Sequence, residues 1–203
     1  MIERGFGKRS EVVGVGFFTP KTRQIHSAVV EHVTSRTGDL VLEADAFITM
    51  EPNVVCRVAT ADCVPLLIWD AKERIVGAVH AGWRGVASQI AIETVNRMRD
   101  LVPDAELHVM MGPAMARSCY EVGEEVVSAC AKTVADISQY IDATRPGHHR
   151  IDLRAILSEQ LQRVGISKNK IELIPTCTHC DTGYASFRRG DRNERQYSWI
   201  VIT

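Results

Sequence analysis

The chain has 203 residues, with 24 Lys and Arg against 25 Asp and Glu and a formal net charge of −1 at pH 7. That balance gives no electrostatic case for a nucleic-acid or membrane partner, and no run of about 18 apolar residues is present to cross a bilayer. A hydrophobic content of 45% with 24% charged residues suits one globular domain over residues 1–203 that buries its own core.

The opening MIERGFGKRSEV lacks the apolar centre of a signal peptide, so the cytoplasm is the expected compartment. The six cysteines are then expected as thiols or ligands rather than disulfides. Residues 11–18, EVVGVGFF, read as a first strand closed by Pro20. In TRQIHSAVVEHV, Val29-Val30 suggests a short strand, with His26 just before it and His32 inside it or at its end. His32 reads as a solvated strand histidine. Gly38-Asp39 marks a turn, and residues 46–49 and 54–58 read as two strands broken by Glu51-Pro52-Asn53.

The densest chemistry lies in residues 60–85, TADCVPLLIWDAKERIVGAVHAGWRG. Apolar runs Val64–Trp69 and Ile75–Val79 flank a polar turn, a strand–turn–strand signature. Pairing these runs as a hairpin brings Cys63, which precedes the first, beside His80, which ends the second. Asp62 adjoins the thiol. Gly82 and Gly85 bracket Arg84, whose guanidinium is expected to add positive charge at the same rim. A helix over Val86–Arg99 follows, with Val86, Ile90, Ala91, Val95 and Met98 at helical spacing. Its first amides are expected to face the histidine rim and favour an anion.

Residues 107–111 read as a strand ended by Gly112-Pro113, and residues 124–134 as a helix. DATRPGHHR, residues 142–150, reads as a polar loop whose His148 and His149 are not ligands. The clearest helix covers residues 152–164. Leu153, Ile156, Leu157, Leu161 and Val164 form one apolar face, Asp152 caps the start and Gly165 ends it. A buried strand is expected at 171–175 and a last strand at 197–202. Cys177 and Cys180 form a C-x-x-C pair, a weak signal without a second pair at zinc-knuckle spacing. Single helices between strands predict an α/β (α+β) fold with mixed sheets.

A thiolate with two imidazoles is a ligand set for zinc that leaves a fourth position for water or substrate. His26, at a strand edge, is placed best as the third ligand, although spacing alone does not bring it to Cys63. The same residues support metal-free chemistry, with Cys63 as nucleophile and His80 as its base.

The stretches RQIHSA, TADCVPLL, AVHAGWRG, GPAMARSCYEVG and CTHCDTGYASFRR followed by RQYSWIVI resemble the YfiH-like laccase-domain family. Its members are also called polyphenol oxidases, peptidoglycan editing factor or purine nucleoside phosphorylases. The resemblance runs from about Arg23 to the C-terminus. It implies an α/β fold of packed mixed sheets with outer helices, and a metal site of His26, Cys63 and His80. It implies phosphorolysis of adenosine, inosine, guanosine and 5′-methylthioadenosine, with adenosine deamination. The implied partners are therefore a small-molecule purine nucleoside and phosphate. Cys63, His80 and Arg84 are the expected catalytic residues, with Arg84, Arg188 and Arg189 as anion-binding residues. Zinc is the expected ion and copper the alternative. A copper-dependent polyphenol oxidase is chemically less persuasive, because its trinuclear cluster needs more histidines than seven scattered ones without H-x-H pairs supply. The sequence departs from the family pattern at Ser27, where glycine is usual, and in lacking a Gly-Gly and Leu-Asn segment ahead of His26. The C-terminal Cys177-Thr178-His179-Cys180 is richer in ligands than its counterparts, which suggests an accessory site or redox sensitivity.

Overall fold

A computed structural model describes residues 1–9, 11 and 16–203. The strand expected over residues 11–18 falls mostly outside these, and Phe18 pairs with Val54 in an isolated bridge. Among the described residues the strands run β1 (Ile2–Phe6), β2 (Lys21–Arg23), β3 (Val30–His32), β4 (Val41–Glu43), β5 (Ala46–Thr49), β6 (Cys56–Thr60), β7 (Val64–Asp70) and β8 (Val76–Ala81). Helices α1 (Trp83–Ala87) and α2 (Ile90–Leu101) follow, then β9 (Leu107–Met111), β10 (Glu121–Gly123) and α3 (Glu124–Ala131). The chain continues through β11 (Ile141–Arg145), β12 (His148–Ile151), α4 (Leu153–Arg163), β13 (Ile171–Leu173) and β14 (Gln196–Ile202).

The centre is a six-stranded mixed sheet in the order β13-β9-β7-β8-β5-β3. Its inner pairs are antiparallel, while β3 joins β5 and β13 joins β9 in parallel. One face carries Val64, Leu66, Ile68, Val79 and Ala81 against helix residues such as Val86, Ile90, Val95, Met98, Ile156 and Leu157. The other face carries Leu67, Trp69, Val76 and Ala78 against Cys56, Val58, Ile200 and Ile202 of a second, antiparallel sheet, β1-β14-β6. Both faces of β7 and β8 are covered, which is why their apolar runs are unbroken rather than alternating. The remaining pairs are a small antiparallel sheet, β10-β12-β11, and a parallel pair, β2-β4. This is the mixed α/β architecture expected.

Three expectations need correction. The helix expected over residues 86–99 is two helices, broken at Gln89, whose φ of 60° and ψ of 38° are left-handed. Gln160 Nε2 takes the Val86 carbonyl at 3.0 Å, one of the acceptors a continuous helix would use internally. The first helix starts after Gly82 rather than Gly85, which lies inside it. The loop expected over residues 142–150 is a hairpin turning at Pro146-Gly147, with Gly147 at φ 71°. Its exposed β11 carries no apolar alternation to read. The strand near residue 171 is short and half exposed rather than buried, because it sits at the sheet edge.

Candidate functional site

The β7–β8 hairpin forms as its pattern requires, with Val64 opposite Ala81 and Pro65 opposite His80. Cys63, one residue ahead of β7, therefore lies beside the end of β8. His26 reaches the same point from the loop between β2 and β3, held at a φ of 57°. Its ring meets that of His80 edge-on, 4.9 Å between centroids. Donor atoms of His26, Cys63 and His80 all lie within 4.8 Å of one another. Gly82 closes the arrangement, since a Cβ there would stand 3.0 Å from Cys63 Sγ and 3.9 Å from His80 Nε2.

The residue that organises this convergence is Asp45, which sequence reading missed. Its carboxylate is fully buried and spans the two histidine segments. Oδ1 accepts from His80 Nδ1 at 2.8 Å and from the His26 backbone N–H at 3.0 Å. Oδ2 accepts from the Ile25 and Ser27 backbone N–H groups and from the Ser27 hydroxyl. Three amides of one loop collected on one carboxylate account for the left-handed turn at His26. Ser27, at the position where glycine is usual, puts its hydroxyl into the same network. The signal in the sequence was a lone Asp opening the apolar strand Ala46–Thr49, where an unpaired buried carboxylate would be costly.

The electrostatics follow from burial and these bonds. Burial raises Asp45, but the bonds from His80 and Ser27 outweigh it and hold the carboxyl at about 2. Burial lowers His80, yet Asp45 and the Cys63 sulfur bring it up to about 9. Burial pushes the Cys63 thiol up, while His26 and His80 bring it down to about 7. Asp62, next in sequence to the thiol, lines the cavity beside the donors but bonds away from the histidines: its oxygens accept from Thr178 Oγ1 at 2.7 Å and from the Arg188 backbone N–H at 2.8 Å. It pins the C-terminal loops rather than orienting the histidine.

The three donors fit a metal ion. Tetrahedral zinc with bonds of about 2.0–2.3 Å needs soft and imidazole donors grouped at such separations. His80 donates Nδ1–H to Asp45 and so leaves Nε2 for the ion, the arrangement that orients histidine ligands generally. A fourth position would face a cavity of about 560 Å³.

That cavity is lined by His26, Cys63 and His80 together with Gln24, Met115, Tyr120, Phe187, Arg188 and Arg195. Phe187 is an exposed ring on its wall. Burial pushes the Tyr120 phenol well above its usual range, so it stays neutral, and the Arg188 guanidinium lies over its ring at 5.5 Å. Of the arginines expected to hold substrate, Arg188 alone lines this space. Arg84 is exposed and stacks on Trp83 at 4.3 Å instead. The Arg189 guanidinium is taken up by the carbonyls of Thr178, His179 and Tyr184 and by Asp191. Tyr120, Phe187 and Arg195 were not singled out from sequence; each lies far along the chain from the histidines, and no local pattern marks them.

A second groove, between α4 and β13, contains none of these metal donors.

Comparison with known proteins bears on this arrangement. Residues 13–203 match the family described as multi-copper polyphenol oxidoreductase laccase. A purine nucleoside phosphorylase of Bacteroides thetaiotaomicron is 33% identical over 183 residues, covering 88% of this chain and 68% of that protein. Adenosine deaminase RL5, from an unknown prokaryotic organism, is 34% identical over 192 residues, covering 88% of this chain and 72% of that one. The crystal structure of YfiH from Bacillus licheniformis superposes with a TM-score of 0.85 at 28% identity, over 91% of this chain and 74% of that one. With nearly its whole length matched and the fold shared, the chain belongs to the YfiH-like laccase-domain family.

Proposed function

We propose that the chain is a metal-dependent purine nucleoside phosphorylase, acting on adenosine, inosine, guanosine and 5′-methylthioadenosine, that also deaminates adenosine. The observation that carries this reading is one cavity lined by three metal donors, two aromatic residues and two arginines, Arg188 and Arg195, each of which, among the described residues, gives only Nη1 to backbone carbonyls. The names of its relatives support the same chemistry. Zinc suits the S/N donor set best, with copper as the alternative ion.

In phosphorolysis a phosphate oxygen bonds to ribose C1′ while the bond from C1′ to the purine breaks, the base leaving with the electron pair. The site must therefore hold an anion against one face of the ribose and the base on the other side. Arg188 and Arg195 supply the charge for phosphate, through charge-assisted hydrogen bonds. Tyr120 and Phe187 offer ring faces to the purine, and a neutral Tyr120 hydroxyl can donate to it. Asp45 fixes the His80 tautomer, and the shared carboxylate keeps His26 in place. A zinc ion held by His26, Cys63 and His80 would supply a Lewis acid and lower the pKa of a water for deamination.

Purified, metal-replete protein incubated with inosine and phosphate is expected to release hypoxanthine and ribose 1-phosphate. Adenosine without phosphate is expected to give inosine. Arg188→Ala should lower kcat/KM for phosphate roughly 10- to 100-fold, the loss of a charge-assisted contact of about 1.5–3 kcal/mol, while Arg84→Ala leaves it within about two-fold. If neither base nor inosine appears with any purine nucleoside, the assignment fails.

A second reading has its own support. The chain Asp45–His80–Cys63 also resembles an oriented base beside an activated thiol, as a cysteine hydrolase would need. Alkylation separates the two. Cys63 coordinated to metal resists iodoacetamide until a chelator is added, whereas a free nucleophile reacts at once. Copper-dependent phenol oxidation has weaker support, since His32, His108, His148, His149 and His179 do not line the cavity.

A further inference from the structure

The sequence CTHC lies outside the cavity triad, yet its side chains are gathered by the fold. The turn Arg117–Cys119, between β9 and β10, brings Cys119 to the loop that starts at Cys177. Donor atoms of Cys119, His179 and Cys180 lie within 4.8 Å of one another. The two sulfurs of Cys119 and Cys180 are 3.4 Å apart, far beyond the roughly 2.05 Å of a disulfide. They are close to the ~3.8 Å that two ~2.3 Å bonds to a tetrahedral zinc impose. Cys180 N–H and Asp181 N–H both donate to the Cys177 carbonyl, at 3.2 and 2.9 Å, which curls the C-x-x-C segment into a tight turn. The Ala116 backbone N–H points at Cys177 Sγ at 3.3 Å, and this sulfur stands beside, not within, the group whose donor atoms lie within 4.8 Å of one another.

We propose that Cys119, His179 and Cys180 form a second zinc site, structural in role, which Cys177 closes as fourth donor by turning its side chain toward the ion. A full set of four protein ligands, three of them thiolates, is the arrangement of structural rather than catalytic zinc, and soft donors select against magnesium and calcium. The second partner pair was invisible as a motif because Cys119 stands 58 residues ahead of Cys177 in the chain; the parallel bridge between Ala114 and Cys177 supplies the proximity. The site would clip together two segments of the cavity wall. Tyr120 follows Cys119 directly, and Thr178, within the Cys177–Cys180 turn, anchors Asp62.

The test is zinc content per chain, measured by elemental analysis on protein purified without chelator and supplied with zinc. Wild-type protein should hold two zinc ions, and Cys119→Ser/Cys180→Ser one. Cys63→Ala should also hold one, and the three substitutions together none. Cobalt-loaded Cys63→Ala protein should show a thiolate-to-cobalt charge-transfer band that His179→Ala weakens. If the double variant does not fold, alkylation of the wild-type protein decides: zinc should slow labelling of Cys119 and Cys180, and a chelator should restore it. Equal zinc in wild-type and double-variant protein, iron with visible absorption in place of zinc, or labelling of Cys119 and Cys180 that zinc does not slow would each overturn the proposal. Failure of the cavity triad is a separate result, in which Cys63→Ala retains the wild-type zinc content.

Discussion

At the scale of single residues, Asp45 is the position on which the cavity donors depend. It is buried, holds the His26 loop by its amides and orients His80 by Nδ1. Asp45→Asn keeps the shape but replaces one acceptor oxygen with a donor that faces N–H groups. Metal affinity should fall roughly 10- to 100-fold, as for other partners of metal-ligating histidines; competition against a chromophoric chelator measures it. The pH dependence has a fixed sign. An ion must displace protons from Cys63, near 7, and from His80, near 9, so affinity rises with pH across that window and flattens above it. Without the carboxylate that raises His80, the upper part of the rise should move to lower pH in the variant. A pH-independent affinity would show that these two groups are not the ligands.

At the scale of elements, the connections are shaped by capping and by side chains from elsewhere in the fold. The start of α4 is set by Asp152, whose side chain accepts from the Ala155 N–H at 3.0 Å. Asp152→Ala should cost about 1 kcal/mol by urea unfolding and leave metal content unchanged. This helix and its cap were legible because both signals are local: an apolar stripe at helical spacing and a carboxylate one residue ahead. The break at Gln89 was not legible. Its apolar positions satisfy one continuous helix, while at the break the Val86 carbonyl accepts from the Gln89 N–H and from Gln160 of α4, a partner no local pattern reveals. The β11–β12 hairpin escaped notice for the opposite reason, since an exposed strand carries no burial pattern.

At the scale of the whole molecule, the β7–β8 turn is tied to the approach to β9, across the central sheet, by Asp70. It is fully buried, accepts from Arg74 Nε at 2.7 Å and from the Glu106 N–H at 2.9 Å. Burial raises this carboxyl, but the Arg74 and Glu106 bonds hold it below the usual carboxylate range. A depressed folded-state pKa means stability that is fully present above about pH 4, the unfolded value, and lost as pH falls through the lower folded value. Asp70→Asn should therefore cost about 2 kcal/mol at pH 7, and urea titrations of the two proteins should converge as the pH falls below about 4. A constant difference at all pH values would mean that the carboxylate charge plays no part.

The strands β5, β7, β8, β9 and β14 and the helix α4 were readable from the sequence because hydrophobic period and turn residues act over a few positions. The pairing of Cys63 with His80 was readable as well, since a hairpin makes partners of residues at its two open ends. Tertiary structure alone decided the rest. His26 reaches that pair only through the parallel addition of β3 to β5 and the clamp of Asp45. Arg84, next to His80 in the chain, turns out to stack on Trp83 outside the cavity, while Arg188 and Arg195, more than a hundred residues away, line it. Sequence separation carries no information about proximity once a sheet brings distant strands together, so the chemistry of the donors was written in the residues and their company was set by the fold.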